Sequence, residues 1–93
     1  MTLLLKDPDA VLDYQVDWGA EYLDEDALAR SSWTVSPDEA LGIRVVEEHF
    51  DLLNATVRVG GGEAGKLYRL TNEVVTAAGR EDYRSIILRV EER

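Results

Sequence analysis

The sequence predicts an all-β fold, an antiparallel sandwich of about seven short strands. Short segments with alternating apolar and polar residues recur along the chain, which is typical of strands with one face in a core and the other in water. Turn signals rich in glycine and aspartate separate these segments. The 93 residues contain no strand–helix–strand rhythm, internal repeat or low-complexity tract. We therefore expect a single domain over residues 1–93.

The clearest element is a hairpin in the last third of the chain. Tyr68–Thr76 is rich in β-branched residues, and Tyr83–Val90 alternates apolar and polar side chains. Residues 77–82 predict a tight connection between them, with Gly79 at its sharp point because glycine adopts positive φ without a steric penalty. The apolar face of the second strand consists of Ile86, Leu88 and Val90.

Three earlier segments also read as strands. Apolar and polar residues alternate without interruption in Leu12–Trp18, and Ala29–Val35 and Ala55–Val59 follow the same pattern. One side chain in two should then face the core. The inward-facing residues predicted for the first two segments are Leu12, Tyr14, Val16, Trp18, Trp33 and Val35.

The middle of the chain is ambiguous. Ser36-Pro37-Asp38-Glu39 resembles a helix start, with a cap residue, proline at the first position and early acids. Gly42 and the β-branched residues that follow it favour a strand, which we prefer, with a short helical turn within residues 36–50 as the alternative. The sequence also leaves two interpretations of Glu21–Leu28, a helical turn and an acidic loop. Residues 1–9 could form an arm, and we expect its leucines, Leu3–Leu5, to pack on something.

The position of Tyr68 indicates which class of β-sandwich the chain forms. It begins a strand directly after the glycine-rich segment Gly60–Gly65, where a tyrosine hydroxyl can hydrogen-bond to a crossing backbone. This arrangement resembles the tyrosine corner of immunoglobulin-like sandwiches. The sequence therefore predicts an immunoglobulin-like domain. The residues interpreted as structural are Tyr14, Trp18, Trp33, Tyr68 and Gly79.

Candidate chemical sites are weak. Gly60 to Lys66 nearly matches a phosphate-binding loop, but Leu67 follows instead of a hydroxyl residue, and a strand follows instead of a helix. His49 is the only histidine and lies in no nucleophile motif. The chain has no cysteine, so thiolate sites and disulfides are excluded. We predict that the protein is not an enzyme, that no residue is catalytic or binds a metal or cofactor, and that no cofactor is required.

Two binding alternatives stay open at this stage. Asp24-Glu25-Asp26 and neighbouring acids invite a calcium site between loops, although the spacing of an EF-hand is absent. The aromatic residues could stack on a sugar. Alternation places most of them inward, so Tyr22 and Tyr83 are the better surface candidates.

The net charge and the hydropathy of the sequence exclude some classes of binding partner. The formal net charge is −9, and residues 1–50 carry the whole excess of acids. Because such a surface repels phosphate backbones, we expect no nucleic-acid partner. No segment approaches the roughly 20 apolar residues of a membrane span, and the start does not read as a signal peptide, so we expect neither a membrane partner nor export.

Several short motifs occur along the chain in a distinctive order and spacing. They are Lys6–Tyr14, Asp17-Trp18, Ser32–Val35, Ala55–Val57, Gly61–Gly65, Tyr68, Thr71-Asn72, Thr76–Arg80 and Ser85. Together they resemble small immunoglobulin-like accessory proteins encoded among the virion genes of tailed bacteriophages and prophages. Two segments, Glu21-Tyr22 and Pro37–His49, depart from that pattern by being more acidic and more helix-like.

The resemblance implies a structural adaptor of the tail–fibre or head–tail type, with no catalytic residues to transfer. It implies other virion proteins as partners, together with self-assembly. The expected location is the virion, after synthesis in the bacterial host cytoplasm. The alternative function is an immunoglobulin-like binding module for a glycan or a protein ligand.

Overall fold

The computed structural model describes residues 2–20 and 22–92, and these residues form seven β-strands and no helix. The prediction of an all-β fold with about seven strands is confirmed. None of the described segments is a helix that could span a membrane. The strands are β1 (Thr2–Lys6), β2 (Leu12–Asp17), β3 (Leu28–Ser36), β4 (Ile43–Phe50), β5 (Asn54–Gly61), β6 (Leu67–Thr76) and β7 (Glu81–Val90).

The strands form two sheets packed as a sandwich. The four-stranded sheet has the order β1-β7-β6-β3, and the three-stranded sheet has the order β2-β5-β4. All neighbours are antiparallel except β1, which runs parallel to β7. The chain changes sheet between β1 and β2, β2 and β3, β3 and β4, and β5 and β6. This is the Greek-key order of an immunoglobulin-like sandwich, with β1 as an added edge strand beside the last strand.

The core lies between the two sheets and follows the alternation of the strands. Val57 and Val59 of the three-stranded sheet and Leu70 and Leu88 of the four-stranded sheet are fully buried. Trp18, directly after β2, is also fully buried, and it shares the place of largest core side chain with Trp33. The inward residues predicted for β7, Ile86, Leu88 and Val90, are all buried, and every second residue of β6 is buried as well, because both strands lie in the middle of their sheet.

A polar network crosses the core. The Trp18 indole Nε1–H donates to Oδ1 of Asn72 over 2.8 Å, and Asn72 is fully buried. The amide nitrogen of Asn72 donates to Oγ of Ser31 over 2.9 Å and to the carbonyl of Ser32 over 3.0 Å. One amide side chain therefore links the end of β2 to β3 and β6, and it satisfies a buried indole donor.

Two further side chains fix the turn between β5 and β6. The backbone N–H of Glu63 donates to the Tyr68 hydroxyl over 3.0 Å, which is the contact expected of a tyrosine corner. Lys6 at the end of β1 is fully buried, and its ammonium donates to the carbonyls of Gly61 over 2.7 Å and Asp7 over 2.9 Å. Burial lowers the pKa of Lys6. Lys6 and Tyr68 therefore hold the end of β5 and the start of the loop that follows it.

The middle of the chain forms a strand from Ile43 to Phe50, which confirms the preferred interpretation, and the alternative of a short helical turn within residues 36–50 is wrong. Residues 37–42 form a loop with a turn in which Gly42 N–H donates to the carbonyl of Glu39. From Ile43 onward the β-branched residues pair with β5. Pairing with a neighbouring strand outweighs the helix-start signal of Ser36–Glu39, which is local and weak. The acids of that signal remain in the loop.

Other boundaries also differ from the sequence-based expectation. The segment 1–9 includes a paired strand, since β1 lies beside β7, and of its three leucines only Leu4 packs against the core. Leu12 is exposed although alternation predicts it inward, because it is the first residue of an edge strand. Glu21 lies outside the described residues, and residues 22–27 form a loop of turns, as the acidic-loop alternative predicts. Gly60 and Gly61 extend β5, so the glycine-rich loop is confined to residues 62–66.

Candidate docking surface

The residues interpreted as structural occupy core and turn positions. Trp18 and Tyr68 make the contacts given above, and Trp33 is buried in β3. Tyr14 of β2 is half-buried, and its hydroxyl, like the indole N–H of Trp33, is buried and has no hydrogen-bond partner among the described residues. Burial raises the pKa of Tyr14. Gly79 lies in the turn between β6 and β7 with φ of 87°, where a side chain would be strained.

The surroundings of His49 form an ion-pair cluster on the outer face of the three-stranded sheet. Arg58 Nε donates to Oδ1 of Asp13 over 2.8 Å, and Arg58 also lies 3.7 Å from a carboxylate oxygen of Glu47. The hydrogen bond from Arg58 lowers the pKa of Asp13. His49 and Thr56 complete the same shallow hollow. Arg58, Asp13 and Glu47 are exposed and already paired with one another, which is the usual chemistry of a polar surface.

The acidic loop between β2 and β3 is tied to the turn between β6 and β7. Arg80 donates to Oδ2 of Asp26 over 3.1 Å and 3.2 Å, and the backbone N–H groups of Ala27 and Ala78 donate to Oδ1. Hydrogen bonds, the largest from the Thr76 hydroxyl, lower the pKa of Asp26 to about 2. Asp26 therefore fastens two loops together. In the part of the chain that the structure describes, no three His, Cys, Asp or Glu side chains group as metal ligands.

The two surface aromatics proposed for sugar stacking lie on different parts of the molecule. Tyr22 packs edge-on against Trp18 at 5.2 Å between ring centroids, and the Arg80 guanidinium covers its ring at 4.7 Å. Tyr83 lies on β7 and is 67% exposed. The Arg84 guanidinium lies over Trp18 at 4.6 Å. The structure brings none of these rings together into a shared exposed platform.

The outer face of the four-stranded sheet is unlike the rest of the surface. Its register shows which side chains point away from the core. Of the 19 acidic residues in the chain, only Glu73 and Glu81 are among the outward-facing residues of this sheet. The outward-facing residues are Leu3, Leu5, Arg30, Ser32, Thr34, Ser36, Leu67, Arg69, Thr71, Glu73, Val75, Glu81, Tyr83, Ser85, Ile87 and Arg89.

One end of this face carries exposed apolar side chains in adjacent strands. Leu3 pairs with Ile87, Leu5 pairs with Arg89, and Arg89 pairs in turn with Leu67. Leu3, Leu5 and Leu67 are 59%, 46% and 57% exposed. We call the set Leu3, Leu5, Leu67 and Ile87 the leucine strip.

Arginines flank the leucine strip. Arg69 pairs with Ile87 across the sheet, and Arg89 lies between Leu5 and Leu67. Arg89 is bound to Glu91 over 2.6 Å, whereas Arg69 appears in none of the ion pairs of the described residues. Apolar side chains with arginine beside them are enriched at the centres of protein–protein contacts, where charged residues in general are depleted.

The other surfaces carry most of the negative charge. The outer face of the three-stranded sheet presents Asp13 and Glu47 beside Arg58, and Asp17 further along β2. Further acids lie in the loops at both ends of the sandwich. They include Asp7, Asp9, Asp24, Glu25, Asp38 and Glu39.

The sequence pattern predicted which face of β7 points away from the core, but it did not predict the leucine strip. Leu3 and Leu5 are about eighty residues away from Ile87 in the sequence, and a parallel pairing of such separation leaves no local signal. The one available hint was that leucines in the first nine residues need a packing partner. Asn72 and Lys6 were missed as well, since polar residues are expected to be exposed.

No curated protein matches the chain. The family model described as Podophage GP4 fiber-tail adaptor protein gp77 matches residues 6–89, which is most of the 93 residues. This match confirms the resemblance to phage tail-fibre adaptors. The chain therefore belongs to the family of the podophage GP4 fiber-tail adaptor protein gp77.

Proposed function

We propose that this protein is a non-enzymatic adaptor of a phage or prophage particle, which joins other virion proteins through the outer face of its four-stranded sheet. The observation that carries the proposal is the distribution of charge. A chain with a formal net charge of −9 keeps this one face almost free of acids, and it exposes three leucines there. Family membership supports the role of structural adaptor, and the face supplies a surface for it.

The chemistry of the face defines the partner surface. Leu3, Leu5 and Leu67 require apolar side chains opposite them, because burying such groups is the main favourable term in association. Arg69 requires an acceptor, and a carboxylate at the margin of the partner's contact would provide charge complementarity. The partner is therefore a virion protein with an apolar contact patch and carboxylates beside it.

Location and partners follow from this role. The adaptor acts in the virion after synthesis in the host cytoplasm, and the proposal involves neither nucleic acid nor membrane. The acids on the other surfaces oppose binding to phosphate backbones at short range. No catalytic step is assigned to any residue.

The experiment is a binding measurement with the tail and fibre proteins encoded by the same phage genome. Leu67→Asp places a charge in the leucine strip and should weaken binding to the cognate protein at least about tenfold, which corresponds to ~1.4 kcal/mol. Gln15→Asp is the matched control, since Gln15 is exposed on the outer face of the other sheet and the change adds the same charge. Equal binding by both variants and the unmodified protein would refute docking through this face.

A binding module for a glycan or a protein ligand stays a prediction. Exposed aromatic rings grouped at one loop end would favour a glycan. Tyr22 lies under Arg80 and packs on Trp18, and Tyr83 lies on the sheet face, so no specific observation supports a sugar site.

A further inference from the structure

The two sheets have four edge strands whose outer sides are unpaired in the described chain. They are β1 and β3 in the four-stranded sheet, and β2 and β4 in the three-stranded sheet. An unpaired edge presents backbone N–H and C=O groups that can accept another strand. Proteins prevent unwanted pairing with charges, bulges and prolines at such edges.

Three of the four edges carry these protective features. β2 has Asp13 and Asp17 on its outward face. β4 has a bulge between Val45 and Glu47, followed by a second acid. β3 has a register shift between Leu28 and Arg30. Each of these edges is irregular or charged over part of its length, and in β3 both the register shift and the charge of Arg30 lie at the start of the strand.

β1 has none of these features. Its register with β7 runs from Thr2 to Lys6 without a shift, and Thr2 to Leu5 carries no charge. The one charged side chain, Lys6, is buried and donates to backbone carbonyls inside the molecule. β1 is therefore a regular, uncharged edge with exposed leucines on its outer face.

We propose that the outer edge of β1 pairs with β1 of a second copy of this chain, antiparallel and about a two-fold axis. The two four-stranded sheets would then form one eight-stranded sheet. A two-fold contact of this kind uses the same patch on both copies, so a single unprotected strand is sufficient to make it. The inference goes beyond the proposed function, since it concerns the free protein and requires no other virion component.

The distribution of charge argues for a second copy as the occupant. Two copies that meet at β2 would oppose Asp13 and Asp17 with their own counterparts, and two that meet at β4 would oppose Glu47 and Glu48. Like charges placed opposite each other across a strand pair are destabilising. At β1 no acid lies within the paired residues Thr2–Lys6.

The leucines argue in the same direction. Antiparallel pairing of β1 with itself brings Leu3 and Leu5 of one copy beside Leu5 and Leu3 of the other, on the same face of the joined sheet. The two leucine strips then become one continuous apolar band, and this band stays on the face that docks to other proteins. A seam of five residues per copy is short, so association in solution is expected to be weak, and binding at adjacent positions in a particle would strengthen it.

Sedimentation velocity of the purified full chain tests the pairing. The unmodified protein should shift from monomer to dimer as its concentration is raised to about 500 µM, and Leu3→Lys should weaken the dimer at least tenfold, because lysine on an edge strand blocks pairing. Leu67→Lys is the matched control, since Leu67 is equally exposed in the same strip but lies two strands from the edge. It should leave dimerisation within about twofold of the unmodified protein.

Hydrogen exchange of the β1 backbone amides distinguishes strand pairing from side-chain contact. Protection of amides within Thr2–Leu5 should rise with protein concentration in the unmodified protein and in Leu67→Lys, but not in Leu3→Lys. A protein that stays monomeric at every concentration overturns the proposal. So does equal weakening by both lysine variants, which would indicate contact through the sheet face, and so does protection that appears only when a tail or fibre protein is added.

Discussion

Replacement of Asn72 by alanine is the sharpest test of how the core is built. Asn72 is fully buried, accepts a hydrogen bond from the Trp18 indole and donates two bonds to β3. Alanine removes all three bonds and leaves the Trp18 N–H buried among apolar side chains. Leaving a buried donor without an acceptor costs more free energy than a formed hydrogen bond contributes on balance, so the unsatisfied Trp18 N–H accounts for the largest part of the lost stability.

The magnitude follows from these contacts. An unsatisfied buried donor costs about 1–3 kcal/mol, and the loss of two further bonds, one of them to a half-buried Ser31, adds about 1 kcal/mol. We therefore expect Asn72→Ala to lower the free energy of unfolding by about 3 kcal/mol. For a domain of this size that corresponds to a fall in Tm of roughly 12–24 °C.

The assay is urea denaturation at 25 °C, followed by circular dichroism so that changes around Trp18 do not affect the signal. Parallel transition slopes would show that the exposed surface on unfolding is unchanged. Ser31→Ala is the control, since it removes only one partner of Asn72 and should cost less than about 1 kcal/mol. If the two variants lose the same stability, the network is not what holds β2 to β3 and β6.

Three further predictions concern the turns and loops. Tyr68→Phe should lower the free energy of unfolding in urea by about 1 kcal/mol, because the part-buried backbone N–H of Glu63 loses its acceptor; no loss would argue against the tyrosine corner. Asp26 has a folded pKa of about 2 against a usual value of 3.8, so its contribution to stability is full above pH 4 and is lost as pH falls towards 2. Asp26→Asn should therefore make the melting temperature less dependent on pH between pH 4 and pH 2, whereas Asp24→Asn should leave this pH dependence unchanged. Gly62→Ala should cost at least about 1 kcal/mol more than Gly79→Ala, because both have positive φ but only the Cβ at Gly62 meets buried side chains, at 2.7 Å; equal melting temperatures would contradict this.

Local patterns were sufficient to predict most strands. Alternation in Leu12–Trp18 and in the hairpin of β6 and β7 is a direct consequence of one buried face, so the structure reproduces both. The helix-start signal at Ser36–Glu39 failed because it is a local preference, and the β-branched residues after it gain more from pairing with β5.

The candidate docking surface could be predicted only in part. The outward residues of β6 and β7 follow from alternation, but nothing in the sequence indicates that Leu3 and Leu5 lie beside Ile87 and Leu67. That neighbourhood depends on a parallel pairing across the whole chain. The buried Lys6 was also beyond sequence reasoning, since its amine is satisfied by backbone carbonyls that carry no residue identity.

A cryo-EM reconstruction of the phage particle tests the central claim most directly. The adaptor account predicts that density for this sandwich lies between tail and fibre components, with the outer face of the four-stranded sheet, including Leu67 and Arg69, buried against a neighbouring virion protein. A particle in which the sandwich is present but this face is open to solvent, or in which the protein is absent, would contradict the account.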